Sequence, residues 1–361
     1  MREYAFVLED SLGHSTHALN LKRVLASSAD VRAWVIDVCN TPATGMGALP
    51  GLRNWSLRAS RAARHGVRAQ LAAGPLDGLF IHTQVASLLL TDVMRRVPTV
   101  ISMDATPANL DEQGAAYGHR RSHPAVEKIK WLANRRAFHA AHSLVTWSEW
   151  AKRSLVVDYG LAEDRVQVIP PGVDTALFQP APRTPHARTR LLFVGGDFVR
   201  KGGTELLEAV RELGDRVELD IVTQASVASD GLPVRVHRLA PKSPELVRLF
   251  QEADIFVLPT RGECFAQVIA EAMAAGLPVV ATPVAAIPEM VRPGSNGWLV
   301  PPRSPRDLAA AIASLVADAA LRARFGAASL ELARRRHDAA QNAGRILALM
   351  DGVRAVQPAA T

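Results

Sequence analysis

Two glutamates, Glu263 and Glu271, lie eight residues apart in the segment ECFAQVIAEAMAAGLPVV. An apolar run, ADIFVLPT, precedes the first, and the second lies in an alanine-rich stretch that ends at Gly276. This pattern predicts a strand, a loop with Glu263, and a helix with Glu271 about two turns in. Helix N-terminal amides favour anions, and carboxylates accept hydrogen bonds from hydroxyls. The segment therefore predicts a site for a ligand with phosphates and hydroxyls, although a surface helix could carry the same pair.

The segment resembles the nucleotide-sugar site of the retaining glycosyltransferases of family 4. Their signature reads E-x-F-G-x-x-x-x-E, then A-M-A-x-G-x-P-V-V-A and a late P-E. The matching positions are Glu263, Phe265, Glu271, Ala272, Met273, Ala274, Gly276, Pro278, Val279, Val280, Ala281, Pro288 and Glu289. Ala266 departs from the family glycine, which leaves a non-catalytic scaffold as an alternative.

The resemblance implies a role for each part of this segment. Glu263 would contact the hydroxyls of the donor sugar, and Glu271 would accept hydrogen bonds from the ribose hydroxyls. Backbone groups would meet the phosphates at Phe265, Ala266, Gln267 and Val268.

A second candidate for phosphate binding is the glycine-rich turn in LLFVGGDFVRKGGTELLEAV. Gly195 and Gly196 allow close approach of the backbone to a ligand, and Arg200 and Lys201 supply cations. The turn matches neither the P-loop nor the dinucleotide fingerprint. It resembles the family turn G-x-x-x-x-K-G, which binds the donor diphosphate, although Gly196 stands where many members carry arginine. A surface turn with two solvated cations is the alternative.

The N-terminal half offers weaker candidates. Gly13 follows the first predicted strand and would allow backbone approach to the diphosphate and acceptor, while Ser15 and Thr16 could simply cap the next helix. Asp104 follows the strand TVISM, where many family members carry a histidine. It could orient an acceptor hydroxyl or cap the local turn. His82 is either a cleft residue or a half-buried histidine.

Strands and helices alternate in both halves of the sequence. The first half predicts strands at YAFVL, VRAWVIDV, GLFIH, PTVISM, HSLVTW and RVQVIP. Its helices include HSTHALNLKRVLAS, one near Ala86 to Arg96, and one capped by Ser148. The second half predicts strands at RLLFVGG, ELDIVTQ, VRVHRL, DIFVLPT, PVVATPV and GWLVPP. Such alternation is typical of α/β folds with parallel sheets.

A proline-rich segment, IPPGVDTALFQPAPRTPHAR, separates the two halves and matches the family linker. We predict an N-terminal acceptor-side domain over residues 1–172 and a nucleotide-sugar-binding domain over 173–336. Residues 337–361 would form a helix that crosses back to the first domain, followed by a frayed tail. The resemblance implies the GT-B fold, with two Rossmann-like parallel-sheet domains facing a central cleft.

Composition favours a soluble globular chain. Of 361 residues, 48% are hydrophobic, the formal charge is +7, and no run of eighteen apolar residues exists. The N-terminus reads as a first strand rather than a signal peptide, and Cys39 and Cys264 have no metal spacing. We expect a reduced, cytoplasmic protein, with peripheral contact to the inner face of the membrane if a basic helix binds lipid.

That helix lies between Val38 and Leu76, where no acidic residue occurs. Its polar face carries Arg53, Arg58, Arg61, Arg64 and Arg68. Its apolar face would carry Leu52, Trp55, Ala59 and Ala63. A basic amphipathic helix of this kind is typical of anionic membrane surfaces, although a half-buried helix with a solvated arginine face fits the same pattern.

Together these features predict a retaining, metal-independent hexosyltransferase that uses a nucleoside-diphosphate sugar and no other cofactor. The catalytic candidates are Glu263, Arg200, Lys201 and Asp104. Glu218 and Asp220 share a strand face but lack a third ligand, so we expect no metal. An epimerase, a phosphorylase or a non-catalytic nucleotide-sugar-binding protein remains an alternative. The nicotinamide fingerprint is absent, and aromatic content of 5% without a reader motif argues against nucleic acid.

Overall fold

The computed structural model describes residues 1–10, 13–39, 54–182 and 187–356. The chain divides into two compact units. The first comprises Met1–Glu112, Arg120–Pro171 and Ala339–Thr361, and the second comprises Gln113–His119 and Gly172–Asp338.

The first unit contains a six-stranded parallel sheet in the order β2-β1-β3-β4-β5-β6. Its strands are β1 (Arg2–Asp10), β2 (Val31–Cys39), β3 (Gly78–His82), β4 (Thr99–Met103), β5 (Ser143–Thr146) and β6 (Val166–Val168). Its helices are α1 (His14–Ala26), α2 (Trp55–Ala73), α3 (Thr91–Met94), α4 (Pro107–Glu112), α6 (Pro124–Ala140), α7 (Glu149–Val157) and α14 (Ala339–Val356). β3, β4 and β5 are buried along their whole length, which explains their continuous apolar runs.

The second unit also contains a six-stranded parallel sheet, in the order β12-β11-β10-β7-β8-β9. Its strands are β7 (Thr189–Val194), β8 (Val217–Val222), β9 (Val234–His237), β10 (Ile255–Leu258), β11 (Val279–Ala281) and β12 (Gly297–Leu299). Its helices are α5 (Gly114–Tyr117), α8 (Gly203–Leu213), α9 (Pro244–Glu252), α10 (Gln267–Ala274), α11 (Ile287–Met290), α12 (Pro305–Ala317) and α13 (Ala319–Arg336). The predicted α/β class with parallel sheets is confirmed.

Two helix predictions in the first unit have different outcomes. Ser148 caps α7 as predicted, because its hydroxyl oxygen accepts a hydrogen bond from the Ala151 amide at 3.2 Å. The single helix predicted near Ala86 to Arg96 is wrong, since the chain forms a short 3₁₀ turn followed by α3. The Ser60 hydroxyl donates to the Ala86 carbonyl and accepts from the Leu89 amide, so these groups are not available to a continuous helix.

The basic helix α2 packs its apolar face into the core of the first unit. Ala59, Ala63 and Val67 are fully buried there. Of the two interpretations of this helix, the half-buried one therefore holds for these residues, because the core covers their apolar face. On the polar side, Arg64 and Arg68 both form ion pairs with Asp92.

The other residues predicted for this membrane contact differ in their surroundings. The Arg58 guanidinium lies 5.9 Å from the ring centre of Trp55, and Arg61 is exposed. Arg53 and Leu52 lie outside the described residues.

The last helix, α14, packs against α1, β3 and β4 of the first unit. Asn342 donates a hydrogen bond to the Pro170 carbonyl at 3.1 Å, and Arg345 donates to the Val168 carbonyl at 3.0 Å. Residues 357–361, most of the predicted frayed tail, lie outside the described part. Among the described residues, no helix is long and apolar enough to cross a membrane.

Candidate active site

The centre of the candidate site is an ion pair between Lys201 and Glu263 in the second unit. Lys201 lies on the turn after β7, and Glu263 lies on the loop after β10, so neighbouring parallel strands bring them together at one edge of the sheet. The Lys201 Nζ contacts the Glu263 Oε2, and both side chains are largely buried. The sequence predicted both residues as parts of a donor site, and the fold brings them into contact.

Arg200, by contrast, is occupied by protein contacts. Its Nη1 donates to the Gly262 carbonyl at 2.7 Å, and its Nε donates to Asp197 at 3.1 Å. Its guanidinium carbon lies 4.5 Å from the ring centre of Tyr117. These contacts hold the loop that carries Glu263, so Arg200 lies in the site as a residue that orders its neighbours.

A side chain would meet different surroundings at each glycine of the turn after β7. A Cβ at Gly202, which has φ +80°, would lie 2.0 Å from the Pro259 carbonyl oxygen, and a Cβ at Gly203 would overlap the Phe198 ring. Gly195 packs against the stem of Lys201. A Cβ at Gly196 would meet nothing within 4 Å, so the chain leaves open space there. Close packing therefore explains three glycines, whereas Gly196 is exposed and faces open space.

Helix α10 begins at Gln267, which places Glu271 roughly one turn from the helix start. The expectation of two turns is wrong, because residues 263–266 form a non-helical loop. Ala266, at the family glycine position, has φ −83° and ψ 83°, a φ that any L-residue adopts. Replacing the glycine with alanine there costs no backbone strain.

The other predicted phosphate-contacting residues lie at the start of α10. Phe265 is buried, and its ring centre lies 6.0 Å from that of His337. Gln267 and Val268 are partly exposed in the first turn of the helix. Their positions agree with a phosphate near the helix N-terminus, where the dipole favours negative charge.

Glu271 has an unusual ionisation. Burial raises the pKa of its carboxyl to about 7, and the positive charge of Lys242 opposes that rise. Lys242 lies between β9 and α9 and has φ +61°. A carboxyl with a pKa near neutrality changes its charge within the physiological pH range, so the charge of Glu271 should change with modest changes in pH.

The loop after β11 supports the Glu263 loop from the side. The Thr282 hydroxyl donates to the Thr260 carbonyl at 2.6 Å, and the Ala286 amide donates to the Cys264 carbonyl at 3.4 Å. Between them Ala285 has φ +48°, in the left-handed region that disfavours alanine.

Sequence reasoning missed the contribution of α5 to this site. A Cβ at Gly262 would lie 2.2 Å from the Ala116 Cβ, so α5 packs directly on the Glu263 loop. Burial, together with the negative charge of Glu263, raises the pKa of the Tyr117 phenol. No local pattern marks this segment, because its contacts are with residues far along the chain.

The carboxyl edge of the first sheet carries a cluster of rings. The His14 Nδ1 lies 3.0 Å from the His82 Nε2, and the Trp147 ring stacks on His82 with centroids 5.1 Å apart. His17 packs edge-on against both His82 and Trp147. Asp104 lies 3.9 Å from the His14 Nε2.

Burial shifts the ionisation of this cluster towards neutral forms. It lowers the pKa of His17 to about 3 and lowers the pKa of His82 well below its usual value. It also raises the pKa of the Asp104 carboxyl. His82, which the sequence placed in the cleft or half-buried, is fully buried. The lowered pKa values of His17 and His82 therefore keep these two imidazoles neutral.

The remaining sequence candidates lie at the start of α1 and on β8. Gly13 is the N-cap of α1 with ordinary helical angles, and Ser15 and Thr16 lie inside the helix, so the idea that they cap it is wrong. Glu218 and Asp220 form ion pairs with Arg190 and Arg235, and the His237 Nε2 lies 2.7 Å from the Asp220 Oδ1. Among the described residues, no three His, Cys, Asp or Glu side chains are placed to hold a metal.

Comparison with known proteins identifies the family. A profile described as Glycosyltransferase Family 4 matches residues 13–177, and one described as Glycosyl transferases group 1 matches residues 188–318. D-inositol 3-phosphate glycosyltransferase from Paenarthrobacter aurescens is 31% identical over 287 residues, which cover 72% of this chain and 69% of the relative. The chain belongs to glycosyltransferase family 4.

Another family 4 relative matches over a smaller share of its length. D-inositol 3-phosphate glycosyltransferase from Streptomyces bingchenggensis is 32% identical over 270 residues. That match covers 66% of this chain and 58% of the relative. The chain thus spans somewhat more than half the length of that relative.

Solved structures show the fold. Sucrose-phosphate synthase from Thermosynechococcus elongatus aligns with a TM-score of 0.78 at 18% identity, covering 99% of this chain and 100% of that one. Anabaena HepE in complex with UDP-glucose aligns with a TM-score of 0.68 at 17% identity, covering 98% and 100%. Together with the two parallel sheets, these likenesses show the GT-B fold for this family 4 chain.

Proposed function

We propose that this chain transfers a sugar from a nucleoside-diphosphate sugar to an acceptor hydroxyl, with retention of anomeric configuration. The observation that carries the proposal is the Lys201–Glu263 pair at the carboxyl edge of the second sheet, just before helix α10, which carries Glu271 about one turn from its start. A cation, a hydroxyl acceptor and a helix N-terminus within one short region suit the diphosphate and the sugar of such a donor.

Each donor part has a residue of matching chemistry. The diphosphate would lie against Lys201, the open space at Gly196 and the start of α10. The sugar hydroxyls would donate to Glu263, and the ribose hydroxyls would donate to Glu271. Anabaena HepE is crystallised with UDP-glucose, so UDP is the first nucleotide to test.

The transfer step needs no base from the protein. The bond between the anomeric carbon and the diphosphate oxygen breaks, and the acceptor oxygen attacks the same face of the sugar. The acceptor proton passes to the departing phosphate oxygen. Negative charge grows on the diphosphate during this step, and Lys201 with the α10 amides would stabilise it. We therefore propose that transfer is independent of metal ions.

The ring cluster of the first unit is the proposed acceptor side. His14 and Asp104 are its partly exposed polar groups, and the buried imidazoles behind them are held neutral. D-inositol 3-phosphate, named for the relatives, is the first acceptor to test alongside simple sugars.

A thermal-shift panel with UDP-, GDP- and ADP-sugars tests the donor. A ligand that binds only the folded chain raises the unfolding temperature, and one class should do so in EDTA. Release of nucleoside diphosphate with an acceptor panel, and the anomeric configuration of the product, then test transfer and retention. A donor response that requires magnesium or manganese would contradict the metal-independent mechanism.

A further inference from the structure

Helix α6 of the first unit turns an apolar face outward. Only its last part is buried, at Asn134, Ala137 and Phe138. Its large aliphatic side chains are exposed, by 43% at Val126, 66% at Ile129 and 49% at Leu132.

The spacing of these residues shows that α6 exposes its aliphatic side, whereas most surface helices bury that side. Val126, Ile129 and Leu132 recur every three residues and share one side of the helix. At 3.6 residues per turn, that side lies opposite the side of Asn134 and Phe138, which faces the protein. A surface helix normally buries its apolar stripe and exposes its polar one. An exposed aliphatic stripe of this kind marks a contact surface.

The charges around the stripe are almost all positive. From Gln113 to Ser148 the single acidic residue is Glu127, and it is paired with Lys130 at 2.9 Å. The cations of this stretch are Arg120, Arg121, Lys128, Lys130, Arg135 and Arg136. Arg121 is paired with Asp111 at 3.0 Å, whereas Lys128, Arg135 and Arg136 are exposed beside the stripe.

We propose that the outward face of α6 docks this protein on an anionic lipid surface. The aliphatic side chains would enter the boundary between headgroups and acyl chains, and the cations would meet the headgroups. An acidic protein surface would satisfy the cations but would leave three large aliphatic side chains against charged groups. The proposal does not depend on the donor chemistry, and it differs from the contact predicted for α2, whose apolar face is covered by the core.

Vesicle co-sedimentation of the full chain tests the proposal. The probes are phosphatidylcholine vesicles with and without phosphatidylglycerol, at low and high salt. We expect sedimentation with the anionic vesicles at low salt, weakening as salt screens the charges over about 10 Å. Replacing both Ile129→Ser and Leu132→Ser should lower the partition coefficient by roughly tenfold or more, because the apolar contribution is lost.

Two charge variants separate the site from the net charge. The first changes the α6 cations, as Lys128→Gln, Arg135→Gln and Arg136→Gln. The second removes the same charge elsewhere, at three exposed arginines, as Arg61→Gln, Arg306→Gln and Arg334→Gln. We expect the first triple variant to lose vesicle binding and the second to keep it.

Four results would overturn the proposal. They are no sedimentation of the wild-type chain, equal sedimentation of the aliphatic variant, equal loss in both charge variants, and a dimer in sedimentation velocity that the aliphatic variant abolishes. The last would assign the face to a second copy of the chain. Circular dichroism checks that each variant is folded, which the exposure of the changed side chains leads us to expect.

Discussion

Each of the two sheets carries polar side chains at the carboxyl ends of its strands, but the two sets of side chains make different contacts. In the second unit, opposite charges meet across short loops, as in the Lys201–Glu263 pair. In the first unit, rings from distant parts of the chain pack together at His14, His17, His82 and Trp147. A charged edge suits the diphosphate of the proposed donor, and an edge where burial keeps the His17 and His82 imidazoles neutral by lowering their pKa suits an acceptor hydroxyl.

The two units also differ in the φ angles of their backbones. Among the described residues, every non-glycine residue with positive φ belongs to the second unit, at Asp230, Lys242, Ala285 and Arg303. Two of them, Lys242 and Ala285, lie on loops next to the candidate donor site. Strained backbone is often found beside functional sites, so the φ angles of Lys242 and Ala285 agree with a site at these two loops.

Changing Lys201→Met should give the largest effect, a fall in turnover of about 100-fold or more with a smaller change in KM. The reason is that Lys201 would act mainly on charge that develops as the donor bond breaks. Steady-state kinetics with the donor found in the thermal-shift panel measure both constants. The double variant Lys201→Met with Glu263→Gln is the control, because it removes the unpaired buried charge and should restore stability without restoring turnover. Wild-type turnover with a raised KM would mean uniform binding instead.

The second prediction concerns pH. Because Glu271 must be ionised to accept from the ribose hydroxyls, nucleotide affinity should fall as pH drops through 7, by roughly 30-fold at pH 5.5. The Glu271→Gln variant should bind weakly and show a much flatter profile. Titrations across this range at one ionic strength, with the nucleoside diphosphate of the donor found in the thermal-shift panel, measure the effect. A profile that is equally steep in the variant would place the titrating group elsewhere.

The stability of the free chain should follow the opposite trend. Since burial raises the pKa of Glu271 from 4.5 to about 7, the folded state binds the proton more tightly than the unfolded state. This contribution to stability is full below 4.5 and is lost as pH rises through 7. Ligand binding and folding therefore favour different ionisation states of the same carboxyl.

A change in the ring cluster of the first unit should lower turnover without changing the KM for the donor. His14→Gln removes the imidazole beside Asp104 and His82, and we expect roughly tenfold slower transfer because the acceptor would be less well oriented. The KM for the donor should stay close to wild type. Leu19→Gln, an exposed position on the outer side of the same helix, is the matched control and should leave both constants unchanged. An effect of His14→Gln on donor KM alone would contradict the division between the two edges.

The smallest predicted effect is on stability. Ala285→Gly relieves a left-handed alanine, and Gly160→Ala creates one at φ +67° in open space, so the two changes should shift the free energy of unfolding in opposite directions by about 1 kcal/mol. Urea unfolding measures both. Equal signs would mean that backbone strain does not decide stability at these positions.

The sequence predicted the charged edge far better than the ring-lined one. Glu263, Glu271 and Lys201 lie in continuous segments where strand, turn and helix follow one another, so local pattern and family resemblance both mark them. His14 and Trp147 come from elements far apart in the chain, and their meeting depends on strand order. The same reason hid α5, which reaches the Glu263 loop only through tertiary contacts.

The two basic helices give the second lesson. Arginine spacing fitted α2 both as a lipid-binding helix and as a half-buried helix, and the structure packs its apolar stripe into the core. Periodicity shows that a helix has an apolar side, but not whether that side meets protein or solvent. For α6, only the fold shows that the aliphatic residues face outward.

Calorimetric titration of the full chain with UDP, GDP and ADP at pH 8 in EDTA tests the central claim most directly, when wild type, Glu271→Gln and His14→Gln are compared. We expect one nucleotide to bind the wild type, roughly 10- to 100-fold weaker binding by Glu271→Gln, and wild-type affinity for His14→Gln. Loss of affinity in His14→Gln with full affinity in Glu271→Gln, or no binding of any of the three nucleotides, would contradict the assignment of the donor to the charged edge of the second unit.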